Sequence, residues 1–309
     1  MSHTAATCTL PTPQAGQAFT NVSALEAGNL VLPTQYLVAG DAPDEFIDCP
    51  SLAFVLTHSK TGTRVVFDLG VRRNIESLPP SLHDYIYKQG EGEGKKGCAV
   101  YVEQTADESL IKGGVTPDQI EVIIISHLHF DHIGDASPFT KATFVIGEES
   151  KDILTSGYPI DPKSQILADS VPLERTRFLS PSDFSTSIGP FPHALNYFGD
   201  GSLYVIDTPG HLPGHINVLA RTSSDGAWIL LGGDAAHDFR LITGEREVAY
   251  FNDGGVVRCV HANKEVADES IRRIGKLLGI PRVQILIAHD YNWYNANKGG
   301  KAFFPGTIP

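Results

Sequence analysis

Basic residues are missing from the start of this chain: no lysine or arginine precedes Lys60. A secretory leader needs a basic segment before its apolar run, and a mitochondrial presequence needs arginines, so neither is expected. No apolar run reaches the ~18 residues of a membrane span. A cytoplasmic location is therefore the expectation. Positive charge is also short overall, with 24 Lys and Arg against 36 Asp and Glu and a net charge of −12. An acidic chain has no bulk attraction for nucleic acid or an anionic membrane, and neither is expected as a partner. Cysteine is scarce. The four (Cys8, Cys49, Cys98, Cys259) are widely spaced and form no C-x-x-C pair. That excludes a disulfide framework and a cysteine metal site, and reduced thiols are expected.

What is present is ordinary for a folded domain. Apolar residues make up 41% and charged residues 19%, enough for a sizeable core. Residues 1–28, rich in Thr, Ala, Pro and Gly, read as a loosely docked arm. Residues 29–309 then read as one domain. Its first half holds short β-type runs, "TQYLVAG" (34–40), "SLAFVLTH" (51–58) and "TRVVFDLG" (63–70), with a turn "SKTG" between the last two. Residues 71–119, with a Pro pair and a Gly-rich charged stretch, read as an insertion suited to a lid or a subunit contact. The second half repeats the β theme: "EVIIISH" (121–127), "ATFVIGEE" (142–149), "SLYVIDTPG" (202–210), "HINVLART" (215–222), "AWILLGGD" (227–234) and "RVQILIAHD" (282–290). A helix is predicted over 264–279, its apolar stripe ended by Gly279-Ile280-Pro281. Two β-rich halves that each end in a helix predict two packed sheets with helices outside.

The stretch "SHLHFDHIGD" (126–135) places His127, His129, Asp131 and His132 within six positions. Residues two apart in an extended chain point the same way, so His127 and His129 can reach one metal. Asp131 and His132 follow a bend and point toward a second. His211, Asp234 and His289 each close an apolar β run. Strand ends on one edge of a sandwich converge on a common site. Imidazole and carboxylate donors without thiolate suit Zn²⁺, with Mn²⁺, Co²⁺ or Fe²⁺ as alternatives. Asp234 is the natural bridge between two such ions, and a water shared by them would ionise near neutral pH and become a nucleophile.

These motifs resemble those of the metallo-β-lactamase superfamily. "HLHFDH" (127–132) matches its H-x-H-x-D-H motif, "TPGHLPGH" (208–215) its third motif, "GGDAAH" (232–237) the bridging Asp and "IAHD" (287–290) the last His. The resemblance runs from about residue 32 to residue 290. It implies an α+β fold, the four-layer αββα sandwich. It also implies one metal on His127, His129 and His211 and another on Asp131, His132 and His289, with Asp234 bridging. Asp68, which ends "VVFD", matches a family Asp that hydrogen-bonds behind a ligand histidine. Within the superfamily the motifs are most similar to the N-acyl homoserine lactonases and to fungal relatives that open small lactams such as benzoxazolinones. The bacterial lactonases place Tyr three residues after the bridging Asp, where this chain has His237.

The expected activity is hydrolysis of a cyclic ester or cyclic amide, by attack of a metal-bridging hydroxide on the carbonyl of a small-molecule substrate. His237 is expected to hold the oxyanion and Asp131 to pass a proton to the leaving atom. An acyclic thioester hydrolase is the alternative within the enzyme class, and a non-catalytic metal-dependent binding protein the alternative outside it. His237, Phe239, Tyr291, Trp293 and Tyr294 are candidates for the pocket wall. His215 reads as structural, and His3, His58, His83, His193 and His261 have no motif support. The lactonase resemblance adds an expected homodimer through the 71–119 insertion.

Overall fold

The structure, a computed structural model, describes residues 9–83, 86 and 100–309. Two six-stranded sheets organise it. The first runs in the order Thr20–Leu25, Ala53–His58, Arg64–Phe67, Val122–Ile124, Thr143–Gly147, Thr176–Leu179. The second runs Thr186–Ile188, Phe191–Asn196, Leu203–Asp207, Ile216–Arg221, Trp228–Leu231, Val283–Leu286. Three of the five pairings in the first sheet are parallel, and one parallel pairing closes the second.

The period-2 alternation of a strand sorts the apolar runs into layers. Phe54, Leu56, Val65, Phe67, Ile124 and Val145 face Val205, Val218, Ile229, Leu231 and Leu286 across the gap between the sheets. Their sequence neighbours Val55, Val66, Ile123, Phe144 and Ile146 turn outward and pack with Ala106 and Leu110 of the helix Ala106–Lys112. On the second sheet, Ile206, Leu219, Leu230 and Ile285 turn outward onto Ile271, Ile274 and Leu277. A strand covered on both faces shows an unbroken apolar run, which is how these segments read. The expected four-layer αββα sandwich is the fold.

Several boundaries differ from the sequence reading. Thr20–Leu25 is not part of a loose arm. It pairs antiparallel with Ala53–His58 along its whole length, and Val22, Ala24 and Leu25 are buried. The small polar residues between them hid the alternation. "TQYLVAG" does not form a strand either. Thr34–Tyr36 is a 3-10 turn, and the strand is Asn29–Pro33, paired with Phe46–Pro50. The helix Ala106–Lys112 lies inside the stretch read as an insertion, yet Ser109 Oγ donates to the Glu26 carbonyl at 2.6 Å and docks it on the first sheet. The candidate lid and dimer contact were expected on the whole 71–119 stretch, of which residues 84, 85 and 87–99 lie outside the described residues, as do Cys8 and Cys98. Cys49 and Cys259 are free thiols. No helix among the described residues is long and apolar enough to cross a membrane.

Candidate metal centre

His127 follows the strand Val122–Ile124, His211 follows Leu203–Asp207, Asp234 follows Trp228–Leu231 and His289 follows Val283–Leu286. His211, Asp234 and His289 lie on one edge of the second sheet because their strands run in the same direction, and His127 of the first sheet meets them there. His127 and His129 bracket the buried Leu128, as extended backbone requires. His129 is then the N-cap of a single helical turn, Phe130–Ile133, that carries Asp131 and His132.

The donor atoms fall into two groups. In the first, His127 Nε2 lies 2.9 Å from His129 Nδ1, and His211 Nε2 lies 3.2 and 3.0 Å from those two nitrogens. Asp234 Oδ2 stands 3.8 Å from His127 Nε2 and 3.5 Å from His211 Nε2. In the second, His132 Nε2 and His289 Nε2 each lie 3.3 Å from Asp234 Oδ1. Asp131 Oδ2 is 3.6 Å from His132 Nε2 and 3.4 Å from His289 Nε2. The two oxygens of Asp234 thus face different groups. All seven residues expected at a metal pair are brought together.

The donor set fits divalent ions. Three imidazole nitrogens that point at one another cannot all be satisfied by hydrogen bonds, because each ring offers one in-plane direction. Ligand atoms at the ~2.0–2.1 Å of Zn–N bonds in a tetrahedron are separated by about 3.3 Å, close to the spacings seen. His132 Nε2 and Asp234 Oδ1 are buried with no hydrogen-bond partner, which buried polar atoms rarely are. Burial, reinforced by the neighbouring imidazoles, pushes His127 and His211 well below the ordinary histidine range, so both rings are neutral donors. Burial also works against a charged His132, but Asp234, Asp131 and Asp68 outweigh it and raise that ring well above the ordinary range. Burial opposes ionisation of Asp234 too, and the charges of His132, His289 and His237 overcome it and hold its carboxyl well below the ordinary range.

The outward nitrogens of these rings are also held. His132 Nδ1 donates to Asp68 Oδ2 at 2.8 Å, and Asp68 accepts further from Ser126 N at 2.7 Å and Ser126 Oγ at 2.8 Å. Asp68 takes φ +60°, a left-handed conformation that Asp tolerates better than most residues. His289 Nδ1 donates to the Pro50 carbonyl at 2.8 Å. His211 Nδ1 meets His261 Nδ1 at 3.2 Å. His215, expected to be structural, orients the bridge: its Nε2 accepts from the Asp234 backbone N–H at 3.2 Å while its Nδ1 donates to the Thr208 carbonyl at 3.0 Å. Burial pushes His215 down to about 3, so the ring stays neutral and keeps its acceptor. Gly233 (φ +48°) lets the chain pass Ser126, since a Cβ there would come within 2.8 Å of Ser126 Cβ.

Asp68→Asn provides a test of this backing. An amide would turn an N–H₂ toward donors that now share a carboxylate, at a cost of about 2 kcal/mol. Equilibrium urea unfolding of chelator-treated protein should show that loss. Unchanged stability would mean that Asp68 is not the acceptor that holds Ser126 and His132.

A cavity of about 740 Å³ opens over both groups. His129, Asp131, His211, Asp234, His237 and His289 form its floor, and Leu30, Leu32, Tyr36, Phe46, Phe130, Phe251 and Val260 are among its walls. Tyr36 and Phe251 meet with ring centroids 4.6 Å apart. His237, expected in the pocket, is there, with Nε2 3.2 Å from Asp234 Oδ2 and Nδ1 buried and unpartnered. Phe239, Tyr291 and Trp293 do not line the cavity, contrary to expectation. Asp238 caps the helix Phe239–Thr243, and Phe239 packs against the outer core of the second sheet. Asp290 caps Tyr291–Asn297, which carries Trp293 onto Phe303. Tyr294 instead donates to Glu26 Oε2 at 2.8 Å. Both turns lead the chain away from the floor immediately after the functional residue.

Comparison with known proteins places this geometry. The sequence model described as the metallo-beta-lactamase superfamily matches residues 47–223. A cytochrome P450 monooxygenase named mpaDE from Penicillium brevicompactum is 38% identical over 281 residues, covering 85% of this chain and 32% of the relative. The chain thus spans about a third of that protein's length. A gamma-lactamase named MBL2 from Gibberella moniliformis is 34% identical over 178 residues, 56% of this chain and 70% of the relative. A solved N-acyl homoserine lactone hydrolase, with the product N-hexanoyl-L-homoserine bound at its catalytic metal center, superposes with a TM-score of 0.66 at 18% identity. It covers 93% of this chain and 98% of its own.

Proposed function

The chain belongs to the metallo-β-lactamase superfamily, and from that premise we propose that it is a dinuclear metal hydrolase that opens a cyclic ester or cyclic amide. The observation that carries this reading is Asp234, whose two oxygens face two separate histidine-rich groups at the floor of one cavity. His127, His129 and His211 would hold one ion, Asp131, His132 and His289 the other, and Asp234 would join them. Zinc suits these donors best. Such a pair, when bound, supplies Lewis acidity and lowers the pKa of water toward neutrality.

The chain's own groups then account for the rest. Water oxygen bonds to the ring carbonyl carbon, the C–O or C–N bond of the ring breaks, and the water proton passes to the departing atom. Asp131, on the cavity floor, is the group we assign to that proton transfer. His237 borders Asp234 and opens on the same floor, where its ring N–H can donate to the carbonyl oxygen as charge develops there. No lysine or arginine lines the cavity among the described residues. Apart from the proposed metal ligands, Asp253 is the one carboxylate that lines it among the described residues, and its walls are largely apolar, which suits a small ring substrate with apolar surface. The gamma-lactamase relative supports a cyclic amide as the ring that is opened.

The test is metal analysis combined with hydrolysis of a matched panel: homoserine lactones, simple γ-lactones, benzoxazolinone-type γ-lactams and a thioester. Two metal equivalents and preferred turnover of a ring substrate are expected. Thioester turnover far above all ring substrates would replace the reading, and stoichiometric binding without turnover would remove the enzyme from it. His237→Phe keeps the ring's bulk and removes its donor. We expect kcat to fall by about 10²-fold or more with both metals retained. An unchanged kcat would rule out the assigned role.

A further inference from the structure

His261 carries no motif and lies 50 residues from His211. It is nevertheless 3% exposed, and its Nδ1 stands 3.2 Å from His211 Nδ1. The opposite nitrogen of His211, Nε2, is the atom that faces His127, His129 and Asp234. For Nε2 to offer a lone pair, the ring's proton must sit on Nδ1, so His211 donates and His261 Nδ1 accepts. The contact is held by the backbone on both sides. Ala262 N donates to the His211 carbonyl and Asn263 N to the Gly210 carbonyl, each at 2.9 Å. Asn263 also caps the helix Lys264–Gly275, whose Ser270 Oγ donates to the Pro209 carbonyl at 2.9 Å. The segment that carries His261 is therefore fastened to the loop that carries His211.

We infer that His261 is a positioning residue, which through its Nδ1 contact fixes the tautomer and orientation of His211 and so sets how tightly the His127–His129–His211 group holds its ion. The inference rests on the metal-pair reading above. An acceptor behind a metal-binding imidazole raises its basicity and removes its freedom to rotate. Carbonyls and carboxylates do this for His289 and His132, and a neutral imidazole does it for His211. Val260, next to His261, lines the cavity, so the wall of the pocket and the support of one group are a single piece of chain.

Cobalt(II) is the probe. Metal-free wild type, His261→Phe and His261→Asn are titrated with Co²⁺ against a chelator, and both the bound equivalents and the visible d–d absorption are recorded. Phe fills the ring's space without an acceptor, and Asn offers an amide oxygen near the position of Nδ1. Wild type is expected to bind two equivalents. His261→Phe should bind one of them about 10–100-fold more weakly, with an altered spectrum. His261→Asn should recover most of the affinity, and the thermal midpoints of the two metal-free variants should agree. Wild-type affinity and spectrum in His261→Phe would overturn the positioning role. So would equal weakening in both variants. A third equivalent in wild type that both variants lose would overturn it differently, by making His261 a ligand, since the rings of His211, His237 and His261 also converge. Fewer than two equivalents in wild type would instead defeat the metal-pair reading itself.

Discussion

Asp234→Ala should lower turnover of the preferred ring substrate by at least about 10³-fold and reduce bound metal below two equivalents. The reason is geometric. Oδ2 serves the His127–His129–His211 side and Oδ1 the Asp131–His132–His289 side, so one truncation takes a donor from both groups. It also leaves His132 and His289 without the carboxylate that does most to sustain their charge in the metal-free protein. The measurement is steady-state kinetics with metal content on the same preparation. The thermal midpoint of chelator-treated protein separates lost chemistry from lost fold. A variant with two equivalents of metal and near-normal turnover would refute the bridging assignment.

Gly210→Ala should destabilise the fold by more than about 4 kcal/mol. Gly210 has φ +127°, where a side chain is strained whatever the space. Space is lacking as well. A Cβ there would sit 2.3 Å from the backbone nitrogen of Ala267 and 2.5 Å from its Cα. Backbone inside a helix cannot move aside as a flexible side chain can. Either the helix Lys264–Gly275 lifts, or the 208–211 loop does. Both loosen His211, because Asn263 N and Ser270 Oγ hold that loop to the helix. Reduced thermal stability of the metal-free protein, together with weaker metal binding, is the expected pair of results. Wild-type stability would show that the close approach is not needed.

The metal-binding pattern was legible in the sequence for a local reason. A buried strand shows as an apolar run, and a polar donor at its end marks the edge where that strand leaves the core. His127, His211, Asp234 and His289 could each be located in this way. The strands at or next to the outer sheet edges were less legible. Thr20–Leu25 and Phe191–Asn196 carry small or polar residues between their buried positions and lack a continuous run. The pocket wall misled for another reason. Phe239, Tyr291 and Trp293 are near functional residues in sequence, but the caps at Asp238 and Asp290 start helices that turn them into the cores.

By itself the sequence carried the motifs that resemble the family, with the α+β sandwich they imply, and the seven candidate donors, because motifs and strand-end placement are properties of a few consecutive residues. The tertiary structure decided what surrounds those donors. Leu30, Tyr36, Phe46 and Phe251 meet over the floor only after the Asn29–Pro33 and Phe46–Pro50 pair and the Phe251–Asp253 strand have folded across it. His261 reaches His211 only because the helix Lys264–Gly275 docks where Gly210 has no side chain. Contacts between segments this far apart depend on how the elements pack, and packing leaves no periodic mark on either segment alone.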